Sequence, residues 1–277
     1  MLGALIIVFR EVIEAGIIVG ILLAVTKGVP GRDRWVAAGV AAGVAGAGLL
    51  ALFADQISHA LAGAGQELFN ASVLALAVVM LAWHNIWMAR HRRELAAQMK
   101  EIGAAAARGS RSLAAVAVVV AVAVLREGSE IVLFLYGLVI AGGTSAAGLM
   151  AGGLIGLLLG CGVSTLTFLG LVKIPGRYLF GVTTFLITFL AAGLAAQSVL
   201  FLQQAGFVTA FEGTVWDTSS ILSDSSLVGR VLHTLVGYTD QPSGMQLIVY
   251  VVTLATIFGL TKACAPSPPK EPVSIGA

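Results

Sequence analysis

Apolar runs of around twenty residues follow one another along the chain, separated by short polar breaks. Seven of them are expected to be spanning helices: Leu2–Thr26, Trp35–Phe53, Leu68–Ala89, Leu113–Ala141, Ala146–Val172, Tyr178–Leu202 and Met245–Thr261. About 20 apolar residues in a helix cross a hydrocarbon core roughly 30 Å thick. Backbone groups in lipid must be satisfied internally, and runs of this length suit helices rather than barrel strands.

Composition agrees with that pattern. The chain is 58% hydrophobic and only 11% charged, with a mean hydropathy of +0.98. A soluble domain carries about a quarter charged residues. An all-α integral membrane protein is therefore expected, and a soluble enzyme is excluded. The basic residues are few and lie beside spans, so nucleic acid is not a partner and membrane lipid is. Cys161 and Cys264 fall far apart in or at the end of apolar runs, which suits small packing residues. The N-terminus lacks a basic leader, and Arg10 and Glu11 interrupt its apolar run, so a first spanning helix is expected there.

The formal net charge of +2 hides an asymmetry. Thirteen of the sixteen Lys and Arg residues lie in the connections after spans one, three, five and seven. The opposite connections hold Arg230 alone, and Arg10 and Arg126 lie inside spans. The positive-inside bias then places the N-terminus outside and the C-terminus in the cytoplasm of a multi-pass plasma (inner) membrane protein. Termini on opposite sides require an odd number of spans, so the count and the charge bias support each other.

Two strings break the apolar pattern at its most costly places: Arg10-Glu11-Val12-Ile13-Glu14 and Arg126-Glu127-Gly128-Ser129-Glu130. A charge at the centre of a spanning helix costs about 2.5–3.5 kcal/mol on insertion scales. Glutamates three apart share a helix face. They repel unless a cation or proton lies between them, and an arginine points away from the glutamate next to it. Two facing pairs would make a four-carboxylate site of Glu11, Glu14, Glu127 and Glu130, charge-balanced and oriented by Arg10 and Arg126. Four carboxylates and two guanidiniums sum to −2, which suits a hard cation such as iron, Mn²⁺, Mg²⁺ or Ca²⁺.

The strings also mark a repeat. Spans one to three (residues 1–89) and four to six (113–202) read as two copies of one unit. Three spans is an odd number, so the second copy enters from the opposite side. In such inverted repeats the substrate site lies near midplane at the repeat interface. A single permease domain over 1–264 is expected, its last helix (245–261) outside the repeat. Residues 90–112 read as a cytoplasmic linker with a short amphipathic helix, 203–244 as an outer loop, and Pro-rich 265–277 as a disordered tail. Small-xxx-small pairs at Gly16/Gly20, Gly39/Gly43, Gly152/Gly156 and Gly156/Gly160 allow close helix approach.

The two motifs, in the first and fourth of seven spans, resemble the paired REXXE signature of the oxidase-dependent iron permeases, the family of bacterial EfeU and the fungal high-affinity iron permeases. The similarity extends to the stretch WHNIWMARHRREL and to the outer segment VWDTSSILSDSSLVGRVLHTLVGYTDQPS. The family often has REGLE twice; here Val12 replaces a glycine and Ser129 a leucine. The resemblance implies high-affinity uptake of iron, as Fe³⁺ formed when a partner oxidises Fe²⁺. It also implies EfeO-like and haem-peroxidase EfeB-like partners. Iron is then a transported substrate, with no permanently bound cofactor, and the chain is not an enzyme. A transporter of another hard divalent ion such as Mn²⁺, or a membrane scaffold for a redox partner, remain the alternatives.

Other polar residues are candidates of lower rank. His84 in span three and Gln197 in span six are possible path-lining residues. Glu212, Asp217 and Asp224 in the outer loop are possible capture sites for incoming cations.

Overall fold

The computed structural model of the protein describes residues 1–60, 65–142, 145–170 and 176–264, with side chains described throughout these ranges except at 54–60, 88–90, 92–93, 176–180, 227, 234 and 264. The expected disordered tail, 265–277, lies outside the described residues. Among the described residues the regular elements are all helices: α1 (Leu2–Val25), α2 (Arg32–Ala60), α3 (Gln66–Ala107), α4 (Leu113–Ile140), α5 (Ala146–Phe168), α6 (Gly176–Gln204), α7 (Leu227–Val236) and α8 (Gly244–Cys264). Five of these, within α2, α3, α5, α6 and α8, are long and apolar enough to cross a membrane. Helices α1 and α4, 24 and 28 residues long, match them in length but carry the charged motifs.

Helix starts are written locally. Ser112, Ser145 and Ser226 accept hydrogen bonds from the backbone N–H three residues on, opening α4, α5 and α7.

Two elements differ from the sequence reading. The segment after span three is not a separate helix. Helix α3 runs on without a break for 42 residues, roughly 63 Å at 1.5 Å per residue. No proline lies between Gln66 and Ala107, so the charges of RHRREL change the environment of the helix but do not end it. The expected outer loop, 203–244, is likewise not all loop. It contains α7, closed by Gly237 at φ 68°. There Gly237 meets Gly193 of α6 so closely that neither position has room for a Cβ.

The helices pack in an exchanged pattern. The longest contacts run between α1 and α5, between α2 and α4, and between α3 and α6. The second helix of each half therefore lies along the first helix of the other. Glycines make this possible. A Cβ at Gly152 or Gly156 of α5 would stand 2.1 or 2.6 Å from the carbonyl oxygens of Met1 and Leu5. A Cβ at Gly39 or Gly43 of α2 would lie 2.5 or 2.8 Å from those of Ala117 and Ala121. The small-residue pairs are thus used within the chain, where close backbone approach substitutes for hydrophobic drive.

Buried apolar side chains form two layers. Ala4 and Ile7 of α1, Leu74 and Leu81 of α3, and Phe134 and Leu138 of α4 belong to the larger, which also takes in α6 and Ile257 of α8. Leu22, Val36, Ala106, Val116 and Val120 form the second, at the other ends of α1 and α4. Along α1, α3 and α4 the charged residues fall between the two layers.

Candidate metal-transport site

Between those layers three helices bring their costly residues together. Arg10, Glu11, Glu14, His84, Glu127 and Glu130 are all buried. On α1, Arg10 Nε donates to Glu14 Oε1 at 3.1 Å, one helical turn on. Its Nη1 lies a longer 3.5 Å from Glu11 Oε1. The arginine thus pairs chiefly at i,i+4 rather than with its neighbour, which the repulsion argument from spacing alone did not anticipate. On α4 the same bonds recur, looser: Arg126 Nε is 3.5 Å from Glu130 Oε1 and 3.6 Å from Glu127 Oε1.

His84 joins the two motifs. Its Nδ1 lies 2.5 Å from Glu130 Oε2, and its Nε2 lies 3.3 Å from Glu14 Oε2 and 3.9 Å from Glu11 Oε2. Sequence reasoning ranked it below the glutamates as a path-lining candidate, whereas the structure sets it in the centre of the cluster. The sequence signal for it was a histidine and an asparagine, His84-Asn85, deep inside an apolar run. Both are buried, and neither polar atom of the Asn85 amide has a hydrogen-bond partner.

One ligand atom from each of Glu11, His84, Glu127 and Glu130 can be chosen so that all lie within 4.8 Å of one another. Glu14 is outside that set although it is close to His84. It is the carboxylate most tightly held by Arg10, so we read it as engaged there. Glu11 Oε2 and Glu127 Oε2 are buried and accept no hydrogen bond. Burying such atoms unpaired is costly, and a cation between them removes that cost. Glu11 and Glu127 are also the two charged residues lining a largely apolar cavity of about 660 Å³ bounded by α1, α2, α4 and α5. Cys161, expected to be a small packing residue, lines this cavity and is exposed.

The remaining candidates stand apart. Gln197 is half-buried on α6, and the ion-pair network above is built without it. Glu212 is exposed. Asp217 organises its own loop: Oδ1 accepts from the hydroxyl of Ser219 at 2.6 Å and its backbone N–H at 3.0 Å, and Oδ2 accepts from Gln241 at 3.0 Å. Those bonds, the Ser219 hydroxyl first, hold its carboxyl below the usual carboxylate range. Asp224 is half-buried, and burial pushes its carboxyl up, with the neighbouring Asp240 carboxylate adding to the effect.

Half-buried Arg126 stacks on Trp87 of α3, its guanidinium carbon 4.8 Å from the ring centroid. Trp87 in turn stacks on His91 at 4.9 Å.

The profile of the iron permease FTR1 family matches residues 1–267. The chain belongs to that family. Among curated proteins it is similar to the ferrous iron permease EfeU of Escherichia coli O6:K15:H31, with 30% identity over 254 residues covering 90% of both chains. EfeU of Shigella sonnei matches to the same extent. EfeU of Shigella flexneri is 32% identical over 192 residues, 68% of this chain and 80% of its own length. No solved structure matches. An FTR1-family chain with this many apolar helices is a multi-pass membrane protein of iron transport, and its curated relatives are named as permeases, not as enzymes.

Proposed function

We propose that this protein takes up iron across the plasma membrane through the buried cluster of Glu11, Glu14, Glu127 and Glu130. The observation that carries this reading is the convergence of buried carboxylates from both motifs, Glu11 with Glu127 and Glu130, on one space within 4.8 Å, their Oε2 atoms without a hydrogen bond. A four-glutamate site with two arginines carries −2, so an iron ion brings it to neutral or nearly so. The relatives' name says ferrous iron, and we take Fe²⁺ to be the ion presented. Its oxidation to Fe³⁺ by EfeB-like and EfeO-like partners belongs to the same proposal.

The topology proposed with it has seven spans, α1 to α6 and α8, arranged as two inverted three-helix units and a last helix. The N-terminus is outside, the C-terminus in the cytoplasm. The exchanged packing of α1 on α5 and α2 on α4 supports a two-fold relation between the units. The site lies between two apolar layers, and the cavity lined by Glu11 and Glu127 reaches it from the side. The outer acids Glu212, Asp217 and Asp224 are proposed to concentrate cations at the entrance, and Gln197 to line the path.

Radio-iron uptake in cells lacking other importers tests the reading. Glu11→Gln and Glu127→Gln, compared with wild type at equal membrane abundance, are expected to abolish uptake. Wild-type rates in both would sink the carboxylate site and leave the scaffold alternative.

A further inference from the structure

The two motifs supply only oxygen ligands, yet the group central to the cluster is an imidazole from a third helix. We propose that iron is held by His84 Nε2 together with Glu11 and Glu127, and that Glu130 is a positioning residue that fixes the imidazole. This rests on the iron-permease reading above and assigns different roles to glutamates that the motif makes look equivalent.

The two ring nitrogens have different surroundings. Nδ1 is in contact with Glu130 Oε2 at 2.5 Å, where an N–H meeting a carboxylate sets the tautomer. A ring carrying its one proton on Nδ1, as a metal ligand must, presents the Nε2 lone pair to carboxylate oxygens, 3.9 Å from Glu11 and 3.3 Å from Glu14. A lone pair facing carboxylates is repulsive with nothing between them and attractive around a cation. The spacing suits one. Two ligands at right angles on a metal, each at about 2.1 Å, stand about 3.0 Å apart. The carboxylate–imidazole–metal relay is the usual way in which a ligating histidine is oriented and made more basic.

The first glutamates of the two motifs are the oxygen donors. Glu11 and Glu127 are the motif glutamates that line the cavity, and each offers an oxygen within 4.8 Å of a His84 nitrogen in the ligand set. The second glutamates are engaged elsewhere: Glu14 by Arg10 at 3.1 Å, and Glu130 by His84 and Arg126. The asymmetric donor set bears on selectivity. Imidazole nitrogen suits first-row transition metals, whereas Mg²⁺ and Ca²⁺ take oxygen. His84 thus separates iron from the abundant hard divalent ions that four carboxylates alone would admit.

The test uses the whole chain, without a histidine tag, in lipid nanodiscs, loaded anaerobically with Fe²⁺. Nitric oxide makes the bound ion visible to pulsed electron paramagnetic resonance, and ¹⁵N-labelling of histidine identifies an imidazole coupling. Wild type is expected to show one histidine nitrogen, absent in monodisperse His84→Gln. Glu130→Gln is expected to keep that nitrogen while Fe²⁺ binds about 10–100-fold more weakly, the usual cost of removing such an orienting group. In uptake assays Ca²⁺ is expected to compete with iron in His84→Gln and not in wild type. Iron bound in wild type without a histidine nitrogen overturns the assignment of His84 and leaves the permease reading standing. A nitrogen that persists in His84→Gln overturns it as well. Wild-type protein that binds no Fe²⁺ overturns the assignment of His84, while the permease reading stands or falls on the uptake assay.

Discussion

The two Arg-Glu-x-x-Glu motifs share one spacing and differ in setting. On α1, Arg10 is 0% exposed and held at 3.1 Å by Glu14; on α4, Arg126 is 37% exposed, 3.5 Å from Glu130, and leans on Trp87. The first motif is sealed. The second sits at an edge, where its arginine has a second partner outside the carboxylates. The same spacing of charges therefore gives a fixed charge in one half and a displaceable one in the other. Both helices are clamped by glycines, α1 by those of α5 and α4 by those of α2; what differs is that Arg126 meets the Trp87 ring of α3.

The largest expected effect tests this directly. Arg10→Met leaves two buried carboxylates without their cation, and breaking such a buried pair costs about 3–5 kcal/mol. Arg126→Met removes a partner that is 37% exposed and 3.5–3.6 Å from its carboxylates, so a smaller loss than for Arg10→Met is expected. Thermal unfolding of the two variants in the same nanodisc reads the difference. Equal losses would erase the distinction between the halves.

Packing gives the next test, and here the halves are expected to agree. Gly156→Leu on α5 and Gly43→Leu on α2 each force a side chain onto a neighbouring carbonyl, 2.6 and 2.8 Å from the first added carbon. Overpacking of this kind costs about 1–3 kcal/mol or more. Gly153→Leu, whose Cβ meets nothing within 4 Å, is the control and is expected to fold normally. A clear gap in melting temperature between Gly156→Leu and Gly43→Leu would mean that the exchanged pairs are not mechanically equivalent.

The smallest effect sharpens the second motif. A double-mutant cycle of Trp87→Leu with Arg126→Met is expected to give a coupling of about 0.5–1 kcal/mol, the size of a partly exposed cation–π contact. Zero coupling would show that the stacking geometry contributes nothing to holding Arg126.

Much of this was legible in the sequence for a simple physical reason. Intramembrane charge is costly, so Arg10, Glu11, Glu14, Arg126, Glu127 and Glu130 stand out against an apolar background. Their spacing on a helix follows from geometry. His84 was harder to rank, because its partners lie 73 and 46 positions away in sequence, at Glu11 and Glu130. A lone histidine has no spacing to read. The continuity of α3 was obscured by a change of solvent, from lipid to water, that does not change the backbone. Helix α7 was passed over because ten residues are too few to span a membrane, although Ser226 and Gly237 bracket it with an N-cap and a left-handed glycine.

The bonds within the cluster also differ in when they become available to a growing chain. Synthesis proceeds at about 5–20 residues per second, so α1 is made on the order of ten seconds before α4. His84 and the second motif do not yet exist when the first motif meets the translocon. The contact between Arg10 and Glu14 spans a single turn of one helix and needs no other segment. In the proposed seven-span arrangement it lets a nascent helix with three charges at its middle enter lipid and wait there for the rest of its site.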